Sequence, residues 1–136
     1  MLDWSKLDNK SFERFCYDIA SEFYKDKGNI DFEANLSRHL FDFYLKISEQ
    51  EIWAWEIKFY INLKKISKNR IVDITRQIEK SLTNTNSNNV RKVILCIPTT
   101  LSLEAENWFY YNTVHNNFWR SKHVIVEIWN SNFLKL

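Results

Sequence analysis

Two segments of this chain, residues 40–47 and 52–60, are dense in aromatic and β-branched side chains, and the polar run Ser48-Glu49-Gln50, followed by Glu51, separates them. Each segment reads as a strand, and the short polar interval joins them as a hairpin turn would. No other feature constrains the fold as tightly. The second strand must also spend much of its apolar surface on one face. Trp53, Trp55, Ile57 and Phe59 alternate along it, which leaves Glu56 and Lys58 together on the other face.

The remaining elements arrange themselves around this hairpin. The chain has one glycine and one proline, so asparagine takes over as the turn former. A first helix is expected over residues 9–27, capped by Asp8 or Asn9. Phe12, Phe15, Cys16, Ile19, Ala20 and Phe23 form its apolar face, and Gly28 is a left-handed stop. Residues 30–36 have strand character. A second amphipathic helix is expected over residues 69–82, with Ile71, Ile74, Ile78 and Leu82 as its stripe. The polar stretch 83–89 is a loop. Residues 92–97 form an uninterrupted apolar run that ends at Pro98, as a strand buried on both faces does. Ser102 caps a third helix that runs to about residue 118, and residues 124–129 make a last strand. The order is α-β-β-β-α-β-α-β, which predicts an α/β domain with a mixed sheet flanked by helices. Residues 130–136 read as the start of another helix. Their unfinished apolar end fits a domain cut from something longer, and a frayed terminus equally.

At 136 residues, with 45% hydrophobic and 16% aromatic content, the chain is one domain with ample core material. Disorder and collagen-like structure are excluded. No apolar run reaches the ~20 residues of a membrane helix, and Leu2-Asp3-Trp4-Ser5-Lys6 is no signal-peptide core. The expectation is a cytoplasmic protein with no membrane partner, in which Cys16 and Cys96 are reduced core thiols. The net charge of +2 hides an asymmetry, because residues 1–56 carry a net −5 and residues 57–136 a net +7. From Ile57 to Val72 stand five bases (Lys58, Lys64, Lys65, Lys68, Arg70) and no acid. Such a run is either a solvated helix face or a surface that tracks phosphates.

The chemistry concentrates in the hairpin. Asp42 is wedged between Phe41 and Phe43, and Glu56 and Lys58 lie on a strand that is otherwise core. Buried charges are expensive unless they are paired or bind metal. A hairpin can bring Asp42 near Glu56. Two carboxylates beside a lysine then form either a local ion-pair group or a site for a hard divalent cation, with an ammonium to orient water. Other chemistry is poorly supported. His39, His115 and His123 are scattered, no glycine-rich phosphate loop occurs, and there is no nucleophile-elbow signature. Trp108, Tyr110, Tyr111 and Trp119 could stack on bases or pack the third helix against the sheet.

Asp42 followed by Glu56-Ile57-Lys58 on the next strand resembles the PD-(D/E)xK nuclease superfamily, whose core is an αβββαβ sandwich. The element order is that core plus a C-terminal helix and strand, a restriction-endonuclease-like fold. The nearer resemblance is to Mrr-like restriction-endonuclease-type effector domains fused to STAND-class NTPases in bacterial defence proteins. It is carried by Phe12-Glu13 in the first helix, Trp53 to Lys58 on the third strand, and Gln77 to Leu82 on the second helix. The run Val93 to Pro98, Trp108-Phe109 and Val126 to Trp129 extend it over nearly the whole chain.

The resemblance implies a metal-dependent DNA endonuclease domain spanning residues 1–136, the N-terminal effector part of a longer antiphage or restriction protein. Asp42, Glu56 and the Ile57 carbonyl would hold Mg²⁺, with Mn²⁺ as a substitute, and Lys58 would orient the attacking water. Glu13 would reach the metal from the side or hold a second cation, and Gln77 would sit nearby from the second helix. Lys64, Lys65, Lys68 and Arg70 would grip flanking DNA phosphates. Cutting both strands would need a homodimer or a higher assembly through an NTPase or sensor region. The alternatives are a catalytically silent nucleic-acid-binding or interaction module of the same fold, and a nuclease for RNA or branched DNA.

Overall fold

Asp8 opens the first helix, its carboxylate accepting a 2.7 Å hydrogen bond from the Ser11 amide. Asp8→Ala should lower the midpoint of urea denaturation, as loss of such a cap does, and Asp8→Asn should largely keep it. Helix α1 (Asn9–Phe23) then turns Phe12, Cys16 and Ala20 inward at four-residue spacing. It ends four residues sooner than its periodicity predicts. The Tyr24 ring is drawn into the core against Trp53, Trp55 and Trp129, and a 3-10 turn (Lys25–Lys27) follows. Gly28 has a positive φ of 131° with ψ −171°, a conformation that favours glycine but lies outside the αL region of the helix stop that was expected.

The computed structural model describes residues 8–28, 30–31, 41–60, 64–84 and 89–135. Strand β1 (Ile30–Asp31) is the described part of the segment predicted over residues 30–36; residues 32–36 lie outside, as do residue 40 and residues 85–88 of the polar loop. Strands β2 (Phe43–Ser48) and β3 (Glu51–Ile57) form the predicted hairpin, with Phe43 opposite Trp55 and Leu45 opposite Trp53. Both strands are shorter at one end than expected. Asp42 precedes β2, and residues 58–60 follow β3, because β2 starts only opposite Trp55 and the neighbouring strand's register ends opposite Ile57.

The chain next forms strand β4 (Lys65–Ile66) and helix α2 (Lys68–Asn84), and the Ser67 hydroxyl accepts from the Arg70 amide in the first turn of α2. The predicted stripe Ile71, Ile74, Ile78 and Leu82 is buried. Strand β5 (Val90–Cys96) runs parallel to β3, and the short strand β6 (Thr100–Leu101) pairs with β4. Ser102 caps helix α3 (Leu103–His115) as predicted. The single helix expected to residue 118 breaks at Asn116, however. Its backbone is extended, and its side chain accepts from the Phe118 amide to start helix α4 (Asn117–Lys122). Strand β7 (Ile125–Trp129) and helix α5 (Ser131–Leu134) complete the chain.

The sheet order is β1-β2-β3-β5-β7, antiparallel through β3 and parallel from β3 to β7. It is a mixed sheet with helices on both faces. Strand alternation divides the core accordingly. Phe43, Leu45, Trp55, Ile94, Cys96 and Trp129 pack with α1, whereas Tyr44, Ala54, Val93 and Leu95 pack with residues of α2, α3 and α4. Both cysteines are free and buried, in keeping with reduced core thiols. Trp119 is fully buried and Trp108 packs on the core, so two of the four candidate stacking aromatics serve the sheet; Tyr110 and Tyr111 are exposed. Among the described residues no helix is long and apolar enough to cross a membrane.

Candidate active site

The parallel strands β3, β5 and β7 end at the same level, with Ile57 opposite Cys96 and Cys96 opposite Trp129. At the β3 end of this rim, charge enters an otherwise apolar sheet. Extending the hairpin register by one residue from Phe43–Trp55 sets Asp42 opposite Glu56. The Asp42 amide donates to the Trp55 carbonyl at 2.9 Å, and its carboxylate accepts from the Ile57 amide at 2.7 Å. A side chain thus continues the ladder where the strand itself has stopped. Lys58 is held by its own amide, which donates to the Cys96 carbonyl at 3.0 Å.

Glu56 and Lys58 emerge on the face opposite Trp55 and Ile57, as the alternation predicts. The Lys58 ammonium lies 3.4 Å from a Glu56 carboxylate oxygen and donates to the Gln77 side-chain carbonyl of α2 at 2.9 Å. The Glu56 and Lys58 side chains retain only 16% and 25% of their exposure, so the pair is shielded without being sealed. Burial, and then repulsion by Asp42, raise the Glu56 carboxyl from an ordinary 4.5 to about 7, against the pull of Lys58. Asp42 is also raised, chiefly by burial, although the Ile57 amide and Lys58 oppose the shift. Glu13 approaches from α1. Its carboxyl is raised by burial and then by the charge of Asp42.

Four of the predicted residues, Asp42, Glu56, Lys58 and Gln77, therefore come together from three parts of the chain. Carboxyls held back from ionising, chiefly by burial, offer the oxygen donors that a hard divalent cation takes. Among the described residues no group of three or more His, Cys, Asp or Glu side chains stands close enough to hold a metal ion. Glu13 feels the charge of Asp42 from α1.

The basic run is less uniform than the sequence suggests. Residues 61–63, between it and β3, lie outside the described residues. Lys64 is exposed and its carbonyl accepts from the Thr99 hydroxyl; Lys65 is exposed on β4. Lys68 lies 3.8 Å from Glu104, and the Arg70 guanidinium covers the Tyr60 ring at 4.7 Å. With 1.5 Å rise per residue, Arg70 and Lys68 stand about 10 and 14 Å along α2 from Gln77.

Cavities among the described residues also fall outside the sequence reading. A cleft of about 670 Å³ at the hairpin-turn end of the sheet is lined by Ser48, Glu51, Trp53, Lys92, His123 and Glu127. Lys92 there pairs with Glu127 at 3.1 Å and covers the Trp53 ring at 4.5 Å, so its main charges already answer one another. A second cavity, of about 310 Å³, lies past the ends of β5 and β7, on the same rim as Lys58. Glu106, Tyr110, Asn130 and Asn132 contribute to it. No local pattern announces them, because four elements distant in sequence build the cavity.

An α/β domain with a carboxylate–lysine–glutamine cluster at the end of a central strand is the class that fold and site define. No protein-family model and no curated protein matches the sequence. Among solved structures the chain is similar to the crystal structure of a protein of unknown function, AF1548. That similarity has 11% identity and a TM-score of 0.53, and it covers 89% of this chain and 59% of the other. It is a likeness of fold alone.

Proposed function

We propose that this chain is a metal-dependent DNA endonuclease domain with a restriction-endonuclease-like αβββαβ core, the effector part of a larger defence or restriction protein. The observation that carries the reading is the convergence of Asp42, Glu56, Lys58 and Gln77 at one end of β3. An element order of α1, β1, β2, β3, α2 and β5, with its antiparallel-then-parallel sheet, agrees with that core. Asp42, Glu56 and the Ile57 carbonyl would hold Mg²⁺ or Mn²⁺. A bound cation supplies Lewis-acid stabilisation of charge on the phosphate and on the departing oxygen.

The protein's own groups do the rest. Lys58 orients the attacking water and favours its deprotonated form, and Gln77 fixes the ammonium so that it does not collapse fully onto Glu56. Glu13, whose own carboxyl is raised by burial and by the charge of Asp42, would approach the cation from the side of α1. Paired copies would be needed to cut both strands.

The direct test is supercoiled plasmid incubated with Mg²⁺, with Mn²⁺ and with EDTA. Nicked and linear products are expected with either metal and none with EDTA. Absence of cleavage together with absence of Mn²⁺ binding would leave a silent nucleic-acid-binding or interaction module instead. Binding through Lys64, Lys65, Lys68 and Arg70 should be salt-sensitive. Replacing all four by alanine is expected to lower the slope of log affinity against log salt by about 0.9 for each phosphate of duplex DNA that is no longer neutralised. An unchanged slope would remove these residues from the interface.

A further inference from the structure

We propose that the 310 Å³ cavity beyond β5 and β7 takes one unpaired nucleobase of a strand passing the cleavage site, and prefers a base with an exocyclic amino group. The inference rests on the nuclease reading, since it adds a base subsite to that substrate.

Its position comes from the topology. Ligands of parallel sheets gather beyond the carboxyl ends of the strands. Here β3 delivers Glu56 and Lys58 to that rim, while the cavity opens beyond its two parallel neighbours. With strands about 4.8 Å apart, the two places are roughly 10–15 Å from each other. A single nucleic-acid strand can therefore touch both.

The lining suits a nucleotide better than a phosphate or an apolar ligand. Ile66 and Leu101 are buried, so their strand neighbours Lys65 and Thr100, paired in register, turn outward side by side. Lys65 offers a cation at the rim. Glu106, exposed in the first turns of α3, would repel a phosphate placed against it. Opposite charges at two points of one small cavity match a ligand with an anion at one end and N–H donors at the other, which describes a nucleotide. Carboxylates accept from the amino group of cytosine in just this way, and thymine has no such group to offer.

Two further features fit a base. Tyr110 lines the cavity and is 55% exposed while its ring rests edge-to-face near Phe109 at 5.7 Å, so part of an anchored aromatic ring is accessible for stacking. The Asn130 side chain accepts from the Asn132 and Phe133 amides at 3.0 and 3.1 Å, and the Ser131 amide donates to the Thr99 carbonyl at 3.1 Å. The turn that carries Asn132 is thus fixed before any ligand arrives, and the Asn132 amide can both donate and accept. A base pair stacked in a duplex could not enter. The subsite therefore reads a single-stranded or frayed segment.

The test is fluorescence anisotropy of the 136-residue chain with labelled oligodeoxycytidylate and oligothymidylate of equal length, in EDTA so that nothing is cut. Oligodeoxycytidylate should bind about fivefold or more tightly than oligothymidylate. Glu106→Gln should erase that preference. Tyr110→Ala should weaken both ligands about tenfold, and Tyr110→Phe should restore them, since the ring face and not the hydroxyl is at work. Equal affinities, a preference that survives Glu106→Gln, or no oligonucleotide binding would each overturn the subsite. Plasmid cleavage in Mg²⁺, run in parallel, separates the two readings: cleavage that persists beside any of those results leaves the nuclease intact and removes only the base pocket.

Discussion

With Mg²⁺ at pH 8, Glu56→Gln is expected to lose about a thousandfold or more of plasmid cleavage while folding at least as well as the parent. The second half of this expectation follows from linkage. The Glu56 carboxyl is held near 7 by burial first and by Asp42 second. A carboxyl raised on folding stabilises the native state fully below its unfolded value, and this contribution is lost as pH rises through the folded one. In EDTA the stability of the parent should therefore fall relative to Glu56→Gln between about pH 4.5 and 7. The gap should then level off, at on the order of 2–3 kcal/mol. Thermal melts of both proteins from pH 4.5 to 8.5 measure it. Cleavage by the parent should rise over the same upper range, because a carboxylate must lose its proton to hold a cation, and added Mg²⁺ should move the midpoint downward. Retained cleavage in Glu56→Gln, or a parent that gains on it as pH rises, would remove Glu56 from the role given above.

Trp55→Ala should destabilise the protein by about 3–5 kcal/mol in urea denaturation, a large share of the 5–15 typical of a whole domain. Trp55 is fully buried and stacks on Phe43 at 5.2 Å, with Tyr24 and Trp129 edge-on at 5.9 Å each. Removing it empties the layer between α1 and the strand that carries Glu56. Its indole N–H makes no hydrogen bond among the described residues, so phenylalanine sacrifices volume but no polar contact. Trp55→Phe should cost clearly less than Trp55→Ala, because an aromatic ring still stacks on Phe43, and keep the site active. Equal losses in the two variants would mean that packing does not govern this position.

The hairpin and its site were legible because both obey local periodicity. Alternation along β3 alone assigns Trp53, Trp55 and Ile57 to one face and Glu56 and Lys58 to the other. The stripe of α2 likewise foretells its buried isoleucines. What escaped depended on partners far away in the chain. Lys65-Ile66 and Thr100-Leu101 are too short to read as strands, and they exist as strands because they pair with each other. Helix α1 stops early because Tyr24 finds three aromatic neighbours from other strands. Asn116 breaks a helix that composition alone would continue, since one side chain can serve as a cap only where the backbone is free to extend. The cavity beside Lys65 needs four elements at once and leaves no local trace.

The bond from the Ile57 amide to the Asp42 carboxylate has a consequence for how this domain can be silenced. Asparagine at position 42 could still accept that bond through its amide oxygen while surrendering the charge. Alanine would forfeit the bond as well, and with it a pin on hairpin register, where a slip of one residue exchanges the two faces of a strand. Changes at this one position thus divide into two outcomes. On the nuclease reading, one leaves a domain that has lost a metal ligand but keeps its hairpin pinned, and the other leaves a chain whose strand register is itself loosened.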